Sequence, residues 1–337
     1  MRRIAAQPPA RSRRALHGLA GVRLTVDSDD AGLHEELQAV LGRVEPGLGP
    51  RAIALRAVVR ATEDAAFGHL RLQTDDPELL SPADFLLGFS SPDFPFERLE
   101  GSGSWTSVAF RGEQSPQFGL RGDDCLFALA AGWRKAVALF LLWRLMRARR
   151  DALFFHAASV GVRGRGVLVV GPKGAGKSTL ALALASRGHD LLGDEQACYV
   201  PARGELIPFR RPVGVKPGPR ARAVDEALRA IDRIPERDGM MRVELPDLLR
   251  GPGPAPVPLR AVLFLRGFAP RARFERLSPG REELARLQPV GACLVNAPAT
   301  ERVFAMARLL SRTAVYALWP GDPDETAECV EREAVAS

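Results

Sequence analysis

Hydrophobic and polar positions change their spacing near residue 150, and this change separates two predicted regions. In the first region, apolar and polar residues alternate in short stretches, as in the strands of a half-buried sheet. These stretches are Gly21–Val26, Ile53–Arg60, His69–Gln73 and Trp105–Arg111. A helix is predicted over His34–Leu41, and turns rich in Pro and Gly separate the strands. Residues 16–122 are therefore predicted to form an α+β or mostly β module of their own, which contains no motif that carries chemistry and could serve as a recognition domain.

A long amphipathic helix is predicted to connect this module to the rest of the chain. Apolar residues recur at spacings of three and four from Leu126 to Leu145, and Asp124 stands where an N-cap residue would. Arginines close the segment, a placement that suits the negative end of a helix dipole. We expect the helix to run from about Cys125 to Arg150, within a connecting region of residues 123–150.

From residue 151 to residue 337, the pattern predicts an α/β domain in which short apolar strands alternate with helices. The predicted strands are Phe155–Val160, Val167–Val170, Ala197–Val200, Ala261–Leu265 and Ala314–Leu318. The predicted helices are Lys177–Arg187, Ala221–Ile231, Arg281–Leu287, Ala299–Ser311 and Asp324–Ala334.

The segment Gly171–Thr179, called the phosphate loop below, lies between one of these strands and the helix that follows it. Its sequence GPKGAGKST matches G-x-x-x-x-G-K-[ST], in which backbone N–H groups surround phosphates, the lysine reaches the β- and γ-phosphates and the hydroxyl reaches Mg²⁺. A Gly-rich turn could match by chance, but the flanking strand and helix favour the functional reading. The predicted nucleotide-binding residues are Gly171, Lys173, Gly174, Ala175, Gly176, Lys177, Ser178 and Thr179.

Two acidic residues follow the next short apolar segment. Asp194 and Glu195 come directly after Leu191-Leu192-Gly193, and nucleotide-dependent phosphotransferases need a carboxylate that holds Mg²⁺ or orients the nucleophile. Acidic residues in a surface turn are the alternative. His156 lies 15 residues before the phosphate loop, and a lone histidine is usually structural.

Taken together, these segments resemble the catalytic domain of the HPr serine kinase/phosphorylase family. The resemblance covers roughly residues 151–200 and includes His156-Ala157-Ala158, Gly166-Val167-Leu168, the phosphate loop and the segment Arg187–Glu195. It implies a fold related to the ATP-type phosphoenolpyruvate carboxykinases, with ATP and Mg²⁺ as cofactors. The related kinases form oligomers, so a homo-oligomer is an expectation by analogy.

The resemblance also implies roles for particular residues. Lys177 would bind the β- and γ-phosphates, Ser178 would bind Mg²⁺, and Glu195 would act on the metal side. Asp194 would be the general base, with His156 beside the transferred phosphoryl group. Three basic residues of a later extended stretch could neutralise charge on that group: Arg210, Arg211 and Lys216.

The chain also departs from the family pattern. The second carboxylate is Glu195, where the family has Asp, and Pro208–Lys216 stands where the family has a later Gly-rich signature. The sequence therefore predicts an ATP-dependent, Mg²⁺-requiring kinase whose acceptor is a hydroxyl other than that of HPr, with Ser or Thr of a peptide or protein expected. A non-catalytic or slowly hydrolysing nucleotide-binding module that regulates a partner is the alternative. The absence of an L-S-G-G-Q-like stretch disfavours an ABC-type motor.

Composition and charge indicate which partners and which cellular compartment to expect. Of 337 residues, 46% are hydrophobic, so the chain can bury a sizeable core. The net charge of +7 accompanies an enrichment in Arg, Ala, Gly and Pro without a basic face interleaved with aromatics, so no nucleic-acid partner is expected. The four cysteines are far apart, which favours a reduced, cytoplasmic compartment without a zinc site. Residues 1–15 are predicted to form a basic flexible tail, and no segment is long and apolar enough to predict a membrane span.

Overall fold

The computed structural model describes residues 13–42, 53–61, 68–73, 96–99, 106–110, 118–121, 124–127, 133–231, 240–244, 255–288 and 299–334. The chain divides into two compact units. The N-terminal unit comprises Met1–Val44 and Leu48–Ala148, and the C-terminal unit comprises Glu45–Gly47 and Arg149–Ser337. The predicted α/β class, with an α+β module before it, is confirmed.

The N-terminal unit is built on a sheet whose described strands follow the order β1-β2-β3-β4-β8-β7-β6-β5. The strands are β1 (Arg13–Leu19), β2 (Val22–Ser28), β3 (Ile53–Ala61), β4 (Gly68–Gln73), β5 (Phe96–Leu99), β6 (Thr106–Phe110), β7 (Phe118–Arg121) and β8 (Asp124–Phe127). Two helices, α1 (Ala31–Leu41) and α2 (Trp133–Ala148), pack against each other and on this sheet. Asp30 begins α1, because its carboxylate accepts a hydrogen bond of 2.7 Å from the Leu33 amide.

Two details of this unit differ from the prediction. The helix expected from Cys125 begins at Trp133, because Asp124–Phe127 pairs on one side with β4 and on the other with β7. Pairing on both sides of a strand outweighs a helical spacing of apolar residues. The flexible tail expected over residues 1–15 was wrong at its end, since β1 begins at Arg13 and pairs with β2 in register from Arg13 opposite Ser28, and residues 1–12 lie outside the described residues.

The C-terminal unit contains a sheet in which the described strands run β12-β10-β11-β17-β14-β13-β9, with β19 beside β17 and β18 beside β19. Its strands are β9 (Leu153–Phe155), β10 (Ala158–Val162), β11 (Arg165–Val170), β12 (Asp190–Gly193), β13 (Ala197–Val200), β14 (Glu205–Ile207), β17 (Val257–Leu265), β18 (Arg273–Leu277) and β19 (Ala314–Trp319). A separate pair is formed by β15 (Val213–Val215) and β16 (Met241–Val243).

Helices cover both faces of this sheet. They are α3 (Lys177–Ser186), α4 (Arg222–Ala230), α5 (Arg281–Leu287), α6 (Ala299–Ser311) and α7 (Pro323–Glu333). Side chains alternate between the faces, so Val169 of β11 packs in the cluster under α3, while its neighbour Leu168 packs in the cluster under α6. Because both faces are covered, the central strands are apolar almost throughout.

The predicted continuous strand Phe155–Val160 is interrupted. β9 ends at Phe155 and β10 begins at Ala158, with a bend at His156 and Ala157 between them. The cause is pairing, since β9 pairs with β13 while β10 pairs with β11 and β12, in a different part of the sheet. The prediction of one strand was wrong at His156, which lies in the bend.

Candidate active site

Three segments that the sequence singled out meet at one edge of the C-terminal sheet. β10 runs antiparallel to β11 and β12, with Ala158 opposite Val169 and Ser159 opposite Gly193. The start of β10 therefore lies beside the ends of both neighbours. This arrangement places the bend at His156, the phosphate loop after β11 and Asp194 after β12 at the same edge of the sheet.

The phosphate loop has the backbone that its glycines predict. Gly174 and Gly176 have φ values of 84° and 94°, in the left-handed region that favours glycine. Gly176 is the N-cap of α3, and no side chain caps the helix there. The amide groups of the first turn of α3 therefore lack a side-chain acceptor, and together with the helix dipole they provide an anion site.

Lys177 is held within the loop by backbone carbonyls. Its Nζ donates to the oxygens of Gly171 at 2.8 Å and Pro172 at 3.0 Å. Burial lowers the pKa of this ammonium, while the charges of Asp194 and Glu195 act in the opposite direction. A buried cation beside a phosphate loop is stabilised further by any anion that enters the loop.

Asp194 is buried beside Ser178. The Ser178 hydroxyl donates to Asp194 Oδ1 at 2.9 Å, and the residue is 6% exposed. Burial raises the pKa of this carboxyl to about 6, an effect that the bond from Ser178 opposes. Among the residues that the structure describes, Oδ2 of Asp194 has no hydrogen-bond partner. A buried carboxylate oxygen without a partner is costly, which indicates a site whose partner is a ligand or a proton.

The turn that carries Asp194 needs glycine before it. A Cβ on Gly193 would lie 2.5 Å from the Gln196 carbonyl oxygen and 3.2 Å from that of Phe209, so a larger residue could not fit. The following Glu195 has a φ of 63°, which is uncommon for a residue other than glycine. This strained backbone conformation is typical of functional sites.

Glu195 faces two arginines. Its Oε2 lies 3.6 Å from Arg211 Nη1 and 3.4 Å from Arg242 Nη1. Arg211 is buried, and burial lowers the pKa of its guanidinium to about 10. Arg211 also donates to the Gln196 side chain. The structure thus places the predicted metal residue Glu195 in an ion-pair cluster, which we call the arginine cluster: Glu195, Arg211 and Arg242.

The remaining predicted site residues lie at different depths. Lys173 is exposed on the phosphate loop, and Thr179 is half-buried in the first turn of α3. Lys216 is exposed after β15, and its charge contributes to lowering the pKa of Lys177. Arg210 is half-buried, and the exposed His156 is at the shared edge of the sheet.

The far end of α3 carries a second charged cluster. Arg187 donates to both carboxylate oxygens of Glu331, at 2.6 and 3.2 Å, and His189 Nε2 lies 2.9 Å from Oε1 of the same residue. The hydrogen bonds from Arg187 hold the pKa of Glu331 below its usual range. This cluster, here called the anchor cluster, joins the end of α3 to α7.

The site offers oxygen ligands of the kind Mg²⁺ prefers. Ser178 and Asp194 present a hydroxyl and a carboxylate side by side, and Mg²⁺ is usually bound by one or two such protein groups together with phosphate oxygens and water. Within the described ranges, no group of three or more His, Cys, Asp or Glu side chains could hold a metal on its own. The residues therefore fit a cation that is shared with a bound triphosphate.

Comparison with known proteins gives partial matches that agree with one another. Over 62 residues, the chain is 42% identical to the HPr kinase/phosphorylase of Nitrosomonas europaea, a match that covers 17% of this chain and 19% of that protein. Over 68 residues, it is 37% identical to the HPr kinase/phosphorylase of Cupriavidus necator, covering 20% and 21%. The chain is related to the HPr kinase/phosphorylase family. It spans about a fifth of the length of these curated relatives.

Two further comparisons set limits on this relation. No family model matches the chain. A solved structure of the HPr(Ser) kinase/phosphatase from Coxiella burnetii covers 53% of this chain and 91% of its own, at 14% identity and a TM-score of 0.23. The relation to HPr kinase/phosphorylase therefore rests on the partial sequence matches.

The resemblance to HPr kinase/phosphorylase did not reveal Arg242. This residue lies on β16 and reaches the site because β16 pairs with β15, with Arg242 opposite Gly214. Pairing between segments 28 residues apart leaves no local signal in the sequence. The basic composition of Pro208–Lys216 was the available clue, because it placed positive charge near the site.

No helix among the described residues is long and apolar enough to cross a membrane.

Proposed function

We propose that the protein is an ATP-dependent, Mg²⁺-requiring kinase that phosphorylates a hydroxyl group, with Ser or Thr of a peptide or protein as the acceptor. The observation that carries the proposal is the buried Asp194 carboxylate, which is bonded to Ser178 of the phosphate loop and has one oxygen without a partner among the described residues. The names of the curated relatives, all HPr kinase/phosphorylases, support a kinase-type activity.

Lys177 and the backbone of the phosphate loop bind and orient the triphosphate in this proposal. The loop carbonyls that now hold Lys177 Nζ keep the ammonium inside the loop, so its charge is in place before the triphosphate arrives. A preorganised charge of this kind is effective because little reorganisation is needed during the reaction. Mg²⁺, held by Ser178 and phosphate oxygens, would neutralise charge on the β- and γ-phosphates.

Asp194 is the proposed general base. A base is most effective when its pKa lies near the working pH, and the raised pKa of about 6 leaves Asp194 largely ionised at neutral pH while it is still basic enough to accept a proton. Its partnerless Oδ2 would accept the proton of the acceptor hydroxyl. General base catalysis of this kind contributes about 10²- to 10⁴-fold to the rate.

The arginine cluster supplies positive charge next to this carboxylate. Arg211 and Arg242 hold Glu195, and the charge of Asp194 also acts on the buried Arg211. We propose that these two arginines stabilise negative charge on the transferred phosphoryl group, a role that the sequence suggested for Arg211 alone of the two. Binding of Mg²⁺ by Glu195 remains a prediction, and the two guanidinium groups compete with it.

The proposal is tested by label transfer. The full chain is incubated with γ-labelled ATP, Mg²⁺ and a cell lysate, and proteins are separated after acid and after alkali treatment. We expect an acid-stable, base-labile labelled acceptor with the natural chain, and its loss with Lys177→Ala and with Asp194→Asn. Asp190→Asn is the matched control, because Asp190 is an exposed aspartate at the opposite end of the same strand.

Two results would contradict the proposal. If ATP binds but label never reaches an acceptor, the protein is a nucleotide-binding module and the kinase assignment fails. If Asp194→Asn transfers label as fast as Asp190→Asn, the protein is a kinase that uses another base.

A further inference from the structure

One exposed aromatic side chain lies against the phosphate loop. Phe268 is 68% exposed, and a Cβ built on Gly176 would lie 3.5 Å from its Cε1 and 3.6 Å from its Cζ. The ring edge therefore lies beside Gly176, the N-cap residue of α3. A single exposed apolar residue is ordinary on a protein surface. Phe268 differs from such a residue because hydrogen bonds hold the backbone on both sides of it.

The segment that carries Phe268 is fixed to the end of β19. The amide of Arg266 donates to the Leu318 carbonyl at 3.0 Å, and the amide of Ala269 donates to the Pro320 carbonyl at 2.8 Å. The Arg266 guanidinium also lies within 3.7 Å of carboxylates at the start of α5, those of Glu282 and Glu283. A large apolar ring is thus presented to solvent by a backbone that is held rigidly.

The positions of Phe268 and Asp194 on either side of the phosphate loop indicate which part of a bound ligand each residue would contact. In the sheet, the strand order is β12-β10-β11-β17, with Asp194 after β12, the phosphate loop after β11 and Phe268 after β17. β11 and β17 are parallel, so both segments leave the sheet at the same edge. Asp194 and Phe268 therefore lie on opposite flanks of the phosphate loop, and the strands that lead to them, β12 and β17, are about 14 Å apart across three strand spacings.

A triphosphate in the loop has two distinguishable ends. If its γ-phosphate faces Asp194, as the proposed function requires, its nucleoside end extends toward the β17 flank, where Phe268 stands. We propose that Phe268 is the platform on which the nucleobase of the bound triphosphate stacks. This inference rests on the proposed function, and it adds a binding residue outside the phosphate-loop motif. Stacking tolerates any base, because every base has a π-face.

The test separates the nucleobase from the phosphates. Binding of ATP and of inorganic tripolyphosphate, each with Mg²⁺, is measured by calorimetry on the full chain. We expect Phe268→Ala to weaken ATP and GTP binding about tenfold and to leave tripolyphosphate binding unchanged, because base–aromatic stacking is lost and the phosphate contacts remain. Phe268→Trp should keep or increase the affinity for ATP, since tryptophan also stacks.

Phe304→Ala is the matched control. Phe304 is 73% exposed and lies on α6, which covers the other face of the sheet from α3. It should change neither affinity. The inference is overturned if Phe268→Ala weakens ATP and tripolyphosphate equally, if it changes neither, or if it slows transfer to the acceptor while ATP affinity stays the same. If the natural chain binds neither ligand, or Lys177→Ala leaves both affinities unchanged, the proposed function itself fails.

Discussion

The two ends of helix α3 carry charged clusters that differ in how completely their groups are paired. At the C-terminal end, the anchor cluster pairs Glu331 with both Arg187 and His189, and each carboxylate oxygen of Glu331 has a partner. At the N-terminal end, Asp194 is more deeply buried, yet its Oδ2 has no partner among the described residues. Within the described part of the chain, the carboxylate at one end of the helix is therefore fully paired and the carboxylate at the other end is only partly paired.

This difference separates an anchoring role from a chemical one. A fully paired cluster joins α3 to α7 and gains nothing from a ligand. The Asp194 carboxylate, with one oxygen unpartnered among the residues that the structure describes, and the Lys177 ammonium, held by carbonyls, both gain when a cation and a triphosphate arrive. Substitutions at the N-terminal end of α3 should therefore change binding and rate, whereas substitutions at its C-terminal end should change only the stability of the fold.

The largest effect is expected for Lys177→Ala. Loss of a buried charge that binds phosphate should weaken ATP binding about 100-fold, because hydrogen bonds to charged groups are among the strongest. Calorimetric titration with ATP and Mg²⁺ measures this loss. Lys135→Ala, at an exposed lysine of the N-terminal unit, is the control and should bind ATP like the natural chain. An unchanged affinity for ATP in Lys177→Ala would contradict the distinction between a ligand-binding N-terminal end and an anchoring C-terminal end of α3.

Asp194→Asn should increase stability. The folded-state pKa of Asp194 is raised to about 6, so ionising this group in the fold costs free energy, and stability falls as pH rises from about 4 to 6. Asparagine keeps an oxygen for the Ser178 hydroxyl and carries no charge. Urea unfolding at pH 7.5 should show the variant about 3 kcal/mol more stable, with the difference vanishing near pH 4.

The same measurement on Asp190→Asn provides the reference for this prediction. Asp190 is exposed, and a substitution there should stay within about 0.5 kcal/mol of the natural chain at every pH. A lower stability of Asp194→Asn at pH 7.5 would mean that the Asp194 carboxylate is well satisfied in the fold.

Glu331→Gln should have the smallest effect, in the opposite direction. Hydrogen bonds from Arg187 lower the pKa of Glu331, so the ion pair stabilises the fold above the unfolded pKa, and this contribution is lost as pH falls through the folded value. Because Arg187 is partly exposed, the loss at pH 7.5 should be about 1 kcal/mol in urea unfolding. Glu328→Gln, at a more exposed partner of Arg187, should cost less. A large fall in transfer rate with intact stability would place the anchor cluster in the active site.

The phosphate loop and the turn after β12 could be predicted from the sequence because both are short local patterns. The glycines at 174 and 176 adopt the left-handed backbone that the motif needs. The sequence failed where pairing decided the outcome. Cys125 was predicted to be helical because its apolar neighbours recur at helical spacing, yet it lies in β8 between two partner strands.

Residues that reach their positions through contacts distant in sequence could not be predicted from the sequence either. The ion pairs that hold Glu195 come from Arg211 and from Arg242, and the second residue is delivered by strand pairing across 28 residues. The role of Arg187 in joining α3 to α7 also depends on contacts over 144 residues of chain. Contacts of this kind leave no periodic pattern, so residue type and local spacing cannot predict them.

The most direct test of Asp194 as the general base is the pH dependence of kcat/KM for ATP in the transfer reaction, which reports groups of the free enzyme. With Asp194 as the base, the rate should fall about tenfold per pH unit below pH 6 and level off above it, because protonated Asp194 cannot accept the hydroxyl proton. The residual rate of Asp194→Asn should lack this step, which separates Asp194 from the titration of ATP itself. The same profile in both chains would contradict the assignment of Asp194 as the base.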